Sequence, residues 1–236
     1  MKLLQGERAL VTGAAHGIGG GIAQALEEEG AAVLRADLAG AELDCDLFGA
    51  EGARRLAEEA IRRLGTVSIF VHSASPRRQE EQTALNVTEA QWREMLAVNL
   101  DAAFVLTQAL GLHMKNNKIR GRMLLVTSLH AESPRNLPHY SAAKAGETML
   151  VKEMARALGP HGIRVNAIAP GAIPGGGFQA PPGMVERIPL RRFGTPADVA
   201  AMAVAVLSER FGAYVTGASI VVDGGMALYN WIDARA

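Results

Sequence analysis

The chain has 236 residues, enough for one sizeable α/β domain and few for two, so we expect a single domain over residues 1–236. Its 24 basic and 24 acidic side chains cancel, which gives no basic field for nucleic acid or an anionic membrane, so a small molecule is the expected partner. Cys45 is the single cysteine, which excludes an internal disulfide, and no signal peptide or membrane span is evident, so a cytoplasmic location is expected.

Short apolar, β-branched runs alternate along the chain with longer stretches of helical periodicity. The predicted strands are Arg8–Thr12, Ala32–Ala36, Val67–Ser73, Met123–Thr127, Arg164–Ile168 and Ser219–Val222. The predicted helices are Ile18–Glu29, Gly52–Leu64, Glu89–Leu112, Tyr140–Gly159 and Pro196–Leu207. This alternation predicts an α/β fold with a parallel sheet and helices on both faces.

Two stretches depart from that alternation. Only about seven residues separate the second strand from Asp44–Leu47, where a third strand is expected, too few for a covering helix and its loops. A helix is therefore missing there. The segment from Gly171 to Pro189 is rich in glycine and proline, which excludes a regular element and predicts a short, mobile flap.

A glycine-rich turn, Thr12–Gly19, follows the first strand and leads directly into a helical pattern. Its glycines, Gly13, Gly17 and Gly19, permit a tight turn and let a pyrophosphate approach the backbone. The helix N-terminus adds N–H groups and positive dipole. An ordinary βα loop is the alternative, but the strand before and the helix after the turn favour a dinucleotide site.

Acidic residues indicate which dinucleotide would bind. Asp37 closes the second strand, eighteen positions after Gly19, where a carboxylate can accept hydrogen bonds from ribose hydroxyls. A 2′-phosphate would meet like charge there, and His16 stands where a phosphate binder would have Arg or Lys, so NAD is favoured and NADP stays an alternative. Arg35 is expected to be a solvated or ion-paired surface charge. Asp46 is a candidate for the adenine amino group, or equally a turn-forming aspartate.

Tyr140 and Lys144 stand four residues apart in a helical pattern, which places phenol and ammonium on one face. A phenol ordinarily titrates near pKa ≈ 10, so an acid/base working near neutrality needs positive charge beside it. The lysine and a cationic nicotinamide would supply that charge. A half-buried tyrosine with an exposed lysine on an amphipathic helix is the alternative.

Two further polar residues complete the candidate catalytic set. Ser128 follows the fourth predicted strand at the carboxyl edge, where it can hydrogen-bond a substrate oxygen. Asn99 lies among apolar neighbours in a long helical pattern, so its amide must find buried partners or bend the helix. We assign it a water-mediated proton relay, a role compatible with a structural amide.

These motifs, with Pro170-Gly171 and Val222–Gly225, resemble in order those of the classical short-chain dehydrogenase/reductase family over nearly the whole chain. The resemblance implies a doubly wound Rossmann-type sheet and hydride transfer between nicotinamide C4 and a carbonyl or secondary alcohol. It implies Tyr140 as acid/base and Lys144 as a ligand of the nicotinamide ribose. The remaining cofactor contacts expected from it are Ile18, Leu47, Ala74, Pro170, Gly171 and Ile173, the last beside the carboxamide. It also implies that the helices Glu89–Leu112 and Tyr140–Leu158 pair across a two-fold axis, giving a homodimer or homotetramer.

The chain departs from the family pattern at three further places. His72-Ser73-Ala74-Ser75 replaces the family's Asn-Asn-Ala-Gly, so the usual asparagine–backbone contact is expected to be absent. Ser128 precedes Tyr140 by twelve residues instead of thirteen. Pro174 and Gly175 follow Ile173 in place of a threonine-containing turn.

The loops expected around the reacting carbon are Ser75–Gln82, Leu129–His139 and Ile173–Arg191. Their polar side chains favour a small polar substrate, sugar-like or hydroxy-acid, unless they merely solvate the loops: Arg77, Arg78, His130, Glu132, Arg135 and His139. The histidines show no metal-ligand spacing, so no metal is expected. Tyr229 and Trp231 in the C-terminal tail are expected to line a pocket or, as is more common for such a tail, to pack at a subunit interface. The alternative functions are an NADP-dependent 3-oxoacyl-type reductase and a catalytically silent dinucleotide-binding protein.

Overall fold

A computed structural model describes residues 2–79, 81–175 and 180–228. Its sheet has seven strands, all paired in parallel, in the order β3-β2-β1-β4-β5-β6-β7. The strands are β1 (Arg8–Thr12), β2 (Ala32–Asp37), β3 (Leu43–Asp44), β4 (Ile69–His72), β5 (Arg122–Val126), β6 (Arg164–Pro170) and β7 (Ser219–Val222). The helices are α1 (Gly17–Glu28), α2 (Ala50–Leu64), α3 (Glu89–Leu96), α4 (Ala102–Asn116), α5 (Pro138–Leu158), α6 (Pro196–Leu207) and α7 (Glu209–Gly212).

Helices cover both faces of the sheet, as the alternation predicted. Because successive strand residues point to opposite faces, Leu10 of β1 packs into one hydrophobic core with Leu56 of α2 and Leu106 of α4. Its neighbour Val11 packs into the other core, which includes residues of α1 and α6. The fold prediction of a doubly wound, Rossmann-type parallel sheet is therefore confirmed.

The two irregular stretches occur where the sequence placed them. Residues 38–42 alone connect β2 to β3, so the covering helix is indeed missing. Between Gly171 and Pro189, the described residues form one short 3-10 turn, Val185–Arg187. Part of the predicted flap, 176–179, lies outside the described residues, as do Tyr229 and Trp231.

The predicted helix Glu89–Leu112 is interrupted by a π-helical segment, Ala97–Asp101, between α3 and α4. Within it, the Asn99 Nδ2 donates to the Met95 carbonyl at 2.9 Å, four residues back, where a backbone N–H would otherwise donate. The next backbone bond observed, from Ala102 to the Ala97 carbonyl, spans five residues. The buried amide thus both finds a partner and widens the helix, as expected for a polar group among apolar neighbours.

The continuous helical stretch Glu89–Asn116 is long and apolar enough to cross a membrane by length and composition alone. A helix through the core of a globular protein passes the same test. Leu106, Leu110 and Met114 of this stretch are fully buried against the sheet, so core packing accounts for its apolar character.

Candidate active site

The strand order reverses at the β1–β4 pair, where Thr12 lies beside His72. In open parallel sheets, ligands bind at the carboxyl ends of the strands flanking such a point. The glycine-rich turn follows β1, Ser73 and Ala74 follow β4, Ser128 follows β5, and Pro170 ends β6. One edge of the sheet therefore gathers residues that the sequence predicted for cofactor and substrate.

The glycine-rich turn fits the approach of a phosphate-bearing ligand. A Cβ on Gly13, which has a φ of +65°, would stand 2.6 Å from the Ala74 nitrogen. A Cβ on Gly19 would overlap the Gly13 carbonyl, so both glycines are required for packing. Gly17 has a φ of +61°, but no atom lies within 4 Å of where its Cβ would be. That open space lies at the N-terminus of α1, next to Ile18, where helix N–H groups favour an anion.

Asp37 anchors the glycine-rich turn to β2. Its Oδ2 accepts the Ala15 N–H at 3.0 Å, and its Oδ1 accepts the Leu38 N–H at 2.7 Å. Each carboxylate oxygen can accept a second hydrogen bond, so ribose hydroxyls can still bind. His16 is exposed and caps α1 without a side-chain hydrogen bond. Arg35 forms an ion pair with Glu27 at 2.7 Å, as expected.

The residues after β3 behave differently from one another. Asp46 Oδ1 accepts the Phe48 N–H at 2.8 Å, which is the turn-forming role. Leu47 is buried in the core, so its side chain does not face the crevice and only its backbone is available to a ligand. The expected cofactor contact of Leu47 therefore stays a prediction that concerns its backbone, because the core behind β2 takes up the side chain.

His72 makes a side-chain contact with the backbone where the sequence analysis expected the family's asparagine–backbone contact to be absent. It is fully buried, its Nε2 lies 3.1 Å from the Val98 carbonyl and its Nδ1 lies 2.9 Å from Thr12 Oγ1. Burial lowers the pKa of His72 to about 3, so the imidazole is neutral, with one nitrogen donating and the other accepting. The imidazole thus takes the place of the family's asparagine and ties β4 to the segment containing Asn99.

Tyr140 and Lys144 lie on the first two turns of α5, which Pro138 opens. Both are buried, and the Lys144 Nζ lies 5.9 Å from the centroid of the Tyr140 ring. The ammonium donates to the Val126 carbonyl at 2.9 Å. The alternative of an exposed lysine on an amphipathic helix is therefore wrong, because the lysine points inward beneath the end of β5.

Ser128 lies at the end of β5 with its hydroxyl oriented. Its Oγ accepts the N–H of His130 at 3.1 Å and caps the 3-10 turn Leu129–Ala131. Since a hydroxyl that accepts one bond still has its own proton to donate, Ser128 can donate to a substrate oxygen. This turn accommodates the spacing of twelve residues between Ser128 and Tyr140.

Asn99 is fully buried, and its Oδ1 has no hydrogen-bond partner among the described residues. A buried carbonyl oxygen without a partner costs about 1–3 kcal/mol. Ordered water ordinarily satisfies such a group. The orphaned oxygen is thus suited to the water-mediated relay that the sequence predicted.

The sequence analysis missed Glu147. This glutamate is fully buried on α5, and its Oε2 lies 2.8 Å from the Lys144 Nζ. Burial raises the pKa of Glu147 to about 7, although the neighbouring ammonium opposes the rise. Its helical spacing of three from Lys144 and four from the buried Val151 was a usable signal, because an acid at an inward-facing position needs a partner.

The polar side chains of the predicted substrate loops differ in their exposure and in whether they contact the Tyr140 ring. Arg77 is exposed, so its role as a solvated charge is favoured. Arg78 instead lies over the Tyr140 ring, with its guanidinium carbon 4.7 Å from the ring centroid, and the His130 ring lies 6.4 Å from the same ring. His139 is fully buried at the start of α5, so it does not solvate the loop, and its contact with substrate stays a prediction.

The residues that follow β6 lie close to neighbouring elements. Ile173 packs against the core on the α6 side. A Cβ on Gly171 would stand 2.6 Å from Asp223 Cβ, so the end of β6 lies close to the turn after β7. Within the ranges that the structure describes, no group of three or more His, Cys, Asp or Glu side chains could hold a metal ion.

Comparison with known proteins gives consistent matches along the chain. A family model described as "Enoyl-(Acyl carrier protein) reductase" matches residues 13–227. The chain is 32% identical to "Glucose 1-dehydrogenase 2" of Bacillus subtilis (strain 168), covering 97% of each protein. It is 34% identical to "(3R)-3-hydroxyacyl-CoA dehydrogenase" of Mus musculus, over 94% of this chain and 97% of that protein. A solved "Short-chain dehydrogenase/reductase from Serratia marcescens" superposes with a TM-score of 0.86 at 27% identity, over 95% of this chain and 99% of the other.

Proposed function

Because this chain belongs to the short-chain dehydrogenase/reductase family, whose members act on CH–OH groups, we propose that it transfers a hydride between NAD(H) and a small polar substrate. The substrate is a sugar-like or hydroxy-acid alcohol, or the corresponding carbonyl. The observation that supports this most directly is that Tyr140, Lys144 and Ser128 converge at the carboxyl edge beside the glycine-rich turn. Because the relatives are named as dehydrogenases, an enzyme is favoured over a catalytically silent dinucleotide-binding protein.

In this proposal each catalytic side chain either transfers a proton or orients the substrate, the cofactor or a water molecule. A bound nicotinamide would accept or donate the hydride. Tyr140 takes the proton from the alcohol during oxidation and returns it during reduction. The Lys144 ammonium stabilises the phenolate and holds the nicotinamide ribose, Ser128 donates to the substrate oxygen, and Asn99 Oδ1 holds the water through which the proton leaves.

The residues that would hold the cofactor are those at the glycine-rich turn and along the sheet edge. We propose the following contacts: Gly13, His16, Gly17, Ile18, Gly19, Asp37, Asp46, the backbone of Leu47, Ala74, Tyr140, Lys144, Pro170, Gly171 and Ile173. The open space at Gly17 supports a pyrophosphate there. The carboxylate of Asp37 supports NAD over NADP, because a 2′-phosphate would meet its negative charge.

We expect the Asp37→Asn variant to bind NADH about tenfold more weakly than the unaltered protein, because a charge-assisted hydrogen bond to the ribose becomes a neutral one. NADPH binding should not weaken, since the like charge is removed. Fluorescence titration with both cofactors measures this. Arg35→Met, on the same strand but paired with Glu27, should change neither affinity. Tighter binding of NADPH than NADH by the unaltered protein would contradict the assignment.

One relative supports a second candidate function. The mouse protein's name describes action on a 3-hydroxyacyl thioester, which favours a 3-oxoacyl-type reductase or its reverse reaction. An absorbance assay with NADH or NADPH separates the two candidates. Turnover of polyols or hydroxy acids with NAD supports the first function, whereas turnover of 3-oxoacyl thioesters with NADPH supports the second.

We also propose a homo-oligomer, a dimer or tetramer, in the cytoplasm. The single cysteine, Cys45, fits a reducing compartment. Helices α3, α4 and α5 expose large apolar side chains that would suit the predicted two-fold interface: Trp92, Phe104, Leu112 and Met149.

We expect Phe104→Asp to shift the protein toward monomer, because a charge in an apolar interface is left without a partner. Light scattering after size-exclusion chromatography measures the mass. Phe211→Asp is a matched control, since Phe211 is also exposed but lies on α7. An unchanged mass for the Phe104 variant would place the interface elsewhere.

A further inference from the structure

Arg78 occupies an unusual position over the ring of the proposed acid/base. Its guanidinium carbon lies 4.7 Å from the Tyr140 ring centroid, within the range of cation–π contact. Arg78 is half-buried, and within the described residues it forms no ion pair with a carboxylate. A guanidinium has five N–H donors, and stacking on a ring uses none of them. Within the part of the chain that the structure describes, the donors of Arg78 are therefore available to a ligand next to Tyr140.

Further polar and charged side chains lie around Arg78 and the Tyr140 ring. The pKa of His130 is lowered chiefly by burial, and both Arg135 and Arg78 lower it further, which favours the neutral imidazole. The Lys144 Nζ, which is paired with Glu147, lies 5.9 Å from the centroid of the Tyr140 ring. Both arginines line a cavity of about 230 Å³ together with Gln79, Gln82 and Thr83. The guanidinium of Arg78 and these amide side chains thus line one space large enough for a small anion.

We propose that Arg78 binds a carboxylate of the substrate, so that the enzyme acts on short hydroxy acids and oxo acids and discriminates against neutral polyols. The proposal rests on the proposed function, since it needs Tyr140 as the acid/base. A guanidinium binds a carboxylate through paired hydrogen bonds of about 2.7–2.9 Å. A carboxylate bound by these donors would lie beside the phenol ring, which the guanidinium covers. In this proposal the carbinol group, one or two carbons away, then reaches the hydroxyls of Tyr140 and Ser128.

The reaction balances with the carboxylate as a spectator. During oxidation, the C–H bond of the carbinol breaks and its hydride passes to NAD⁺, while the O–H proton passes to Tyr140 and then to water. The products are an oxo acid, NADH and a proton. A neutral polyol would undergo the same chemistry but would leave the donors of Arg78 to water.

The first test compares matched acids and amides as substrates. The full-length protein is assayed with NAD⁺ and a series of short 2- and 3-hydroxy acids, their amides and polyols of the same length. We expect kcat/KM to be about ten- to hundredfold higher for the best acid than for its amide, because a charge-assisted bond is lost. In the Arg78→Met variant this ratio should fall to about one, because the KM for the acid rises. Arg77→Met, the exposed neighbour, should keep the original ratio.

A second measurement decides the proposal without turnover. Acetate and acetamide are titrated into the protein–NADH complex, and binding is followed by cofactor fluorescence. Binding of acetate that Arg78→Met weakens about tenfold supports the carboxylate site even if no alcohol in the series is oxidised. Equal binding of acetate by both proteins overturns it.

The outcomes separate the two levels of inference. Turnover of neutral alcohols at rates equal to the acids overturns the Arg78 proposal and leaves the proposed hydride transfer intact. Acetate binding that depends on Arg78, in a protein that oxidises no alcohol with either NAD⁺ or NADP⁺, supports the anion site and overturns the proposed function.

Discussion

Replacing Tyr140 by phenylalanine is expected to lower kcat by about 10²–10⁴-fold, because the ring and its packing remain while the hydroxyl that transfers the proton is removed. Cofactor binding should weaken far less than kcat, since Tyr140 is one of many proposed contacts and the glycine-rich turn and Asp37, which adjoin β1, β2 and α1, are unaltered. The measurement is the rate of NADH formation or loss with the best substrate, together with an NADH titration of the same preparation.

The chain offers a matched control for this substitution. Tyr214 is fully exposed, so Tyr214→Phe should retain the activity of the unaltered protein. If Tyr140→Phe kept activity within about threefold of the control, well short of the loss expected for an acid/base, the proton would have to be transferred by another group. Ser128 would be the next candidate, because its hydroxyl proton is available for donation.

Glu147→Gln is expected to stabilise the protein at pH 8 by up to about 3 kcal/mol and to leave its stability unchanged below about pH 4.5. The folded pKa of Glu147, about 7, lies above the ordinary 4.5, because burial outweighs the attraction of Lys144. The folded state therefore binds a proton more tightly than the unfolded state. The corresponding stability is fully present below the unfolded pKa and is lost as the pH rises through 7.

Glutamine resembles the protonated acid in size and charge, so the variant should lack this loss. Urea unfolding from pH 4.5 to pH 8 measures the free energy of unfolding of both proteins. Glu153→Gln, an exposed position on the same helix, serves as the control and should leave the pH dependence unaltered. A variant less stable than the unaltered protein at pH 8 would show that the ion pair with Lys144 outweighs its desolvation.

The sequence predicted the bounds of a strand or helix correctly where residues of that element, or directly next to it, mark both of its ends. β1, β7 and α6 have the predicted bounds, because uninterrupted apolar runs, turn residues or a proline at the first helical position delimit them. The missing helix after β2 followed from chain length alone. The interruption at Ala97–Asp101 was only partly predictable, because apolar periodicity does not show which backbone carbonyl a buried amide will bind.

The sequence by itself determined the alternating α/β architecture, the glycine-rich turn ending β1, and the phenol and ammonium on one face of α5. Each of these depends on residues within a few positions of one another, whose spacing encodes strand, turn and helix. Only the tertiary structure decided three contacts. The His72 ring lies against the Val98 carbonyl, the Lys144 ammonium donates to the Val126 carbonyl, and the Arg78 guanidinium lies over the Tyr140 ring. Those contacts join segments 18 to 62 residues apart, and they form only when the sheet edge and the packing of α5 bring the segments together.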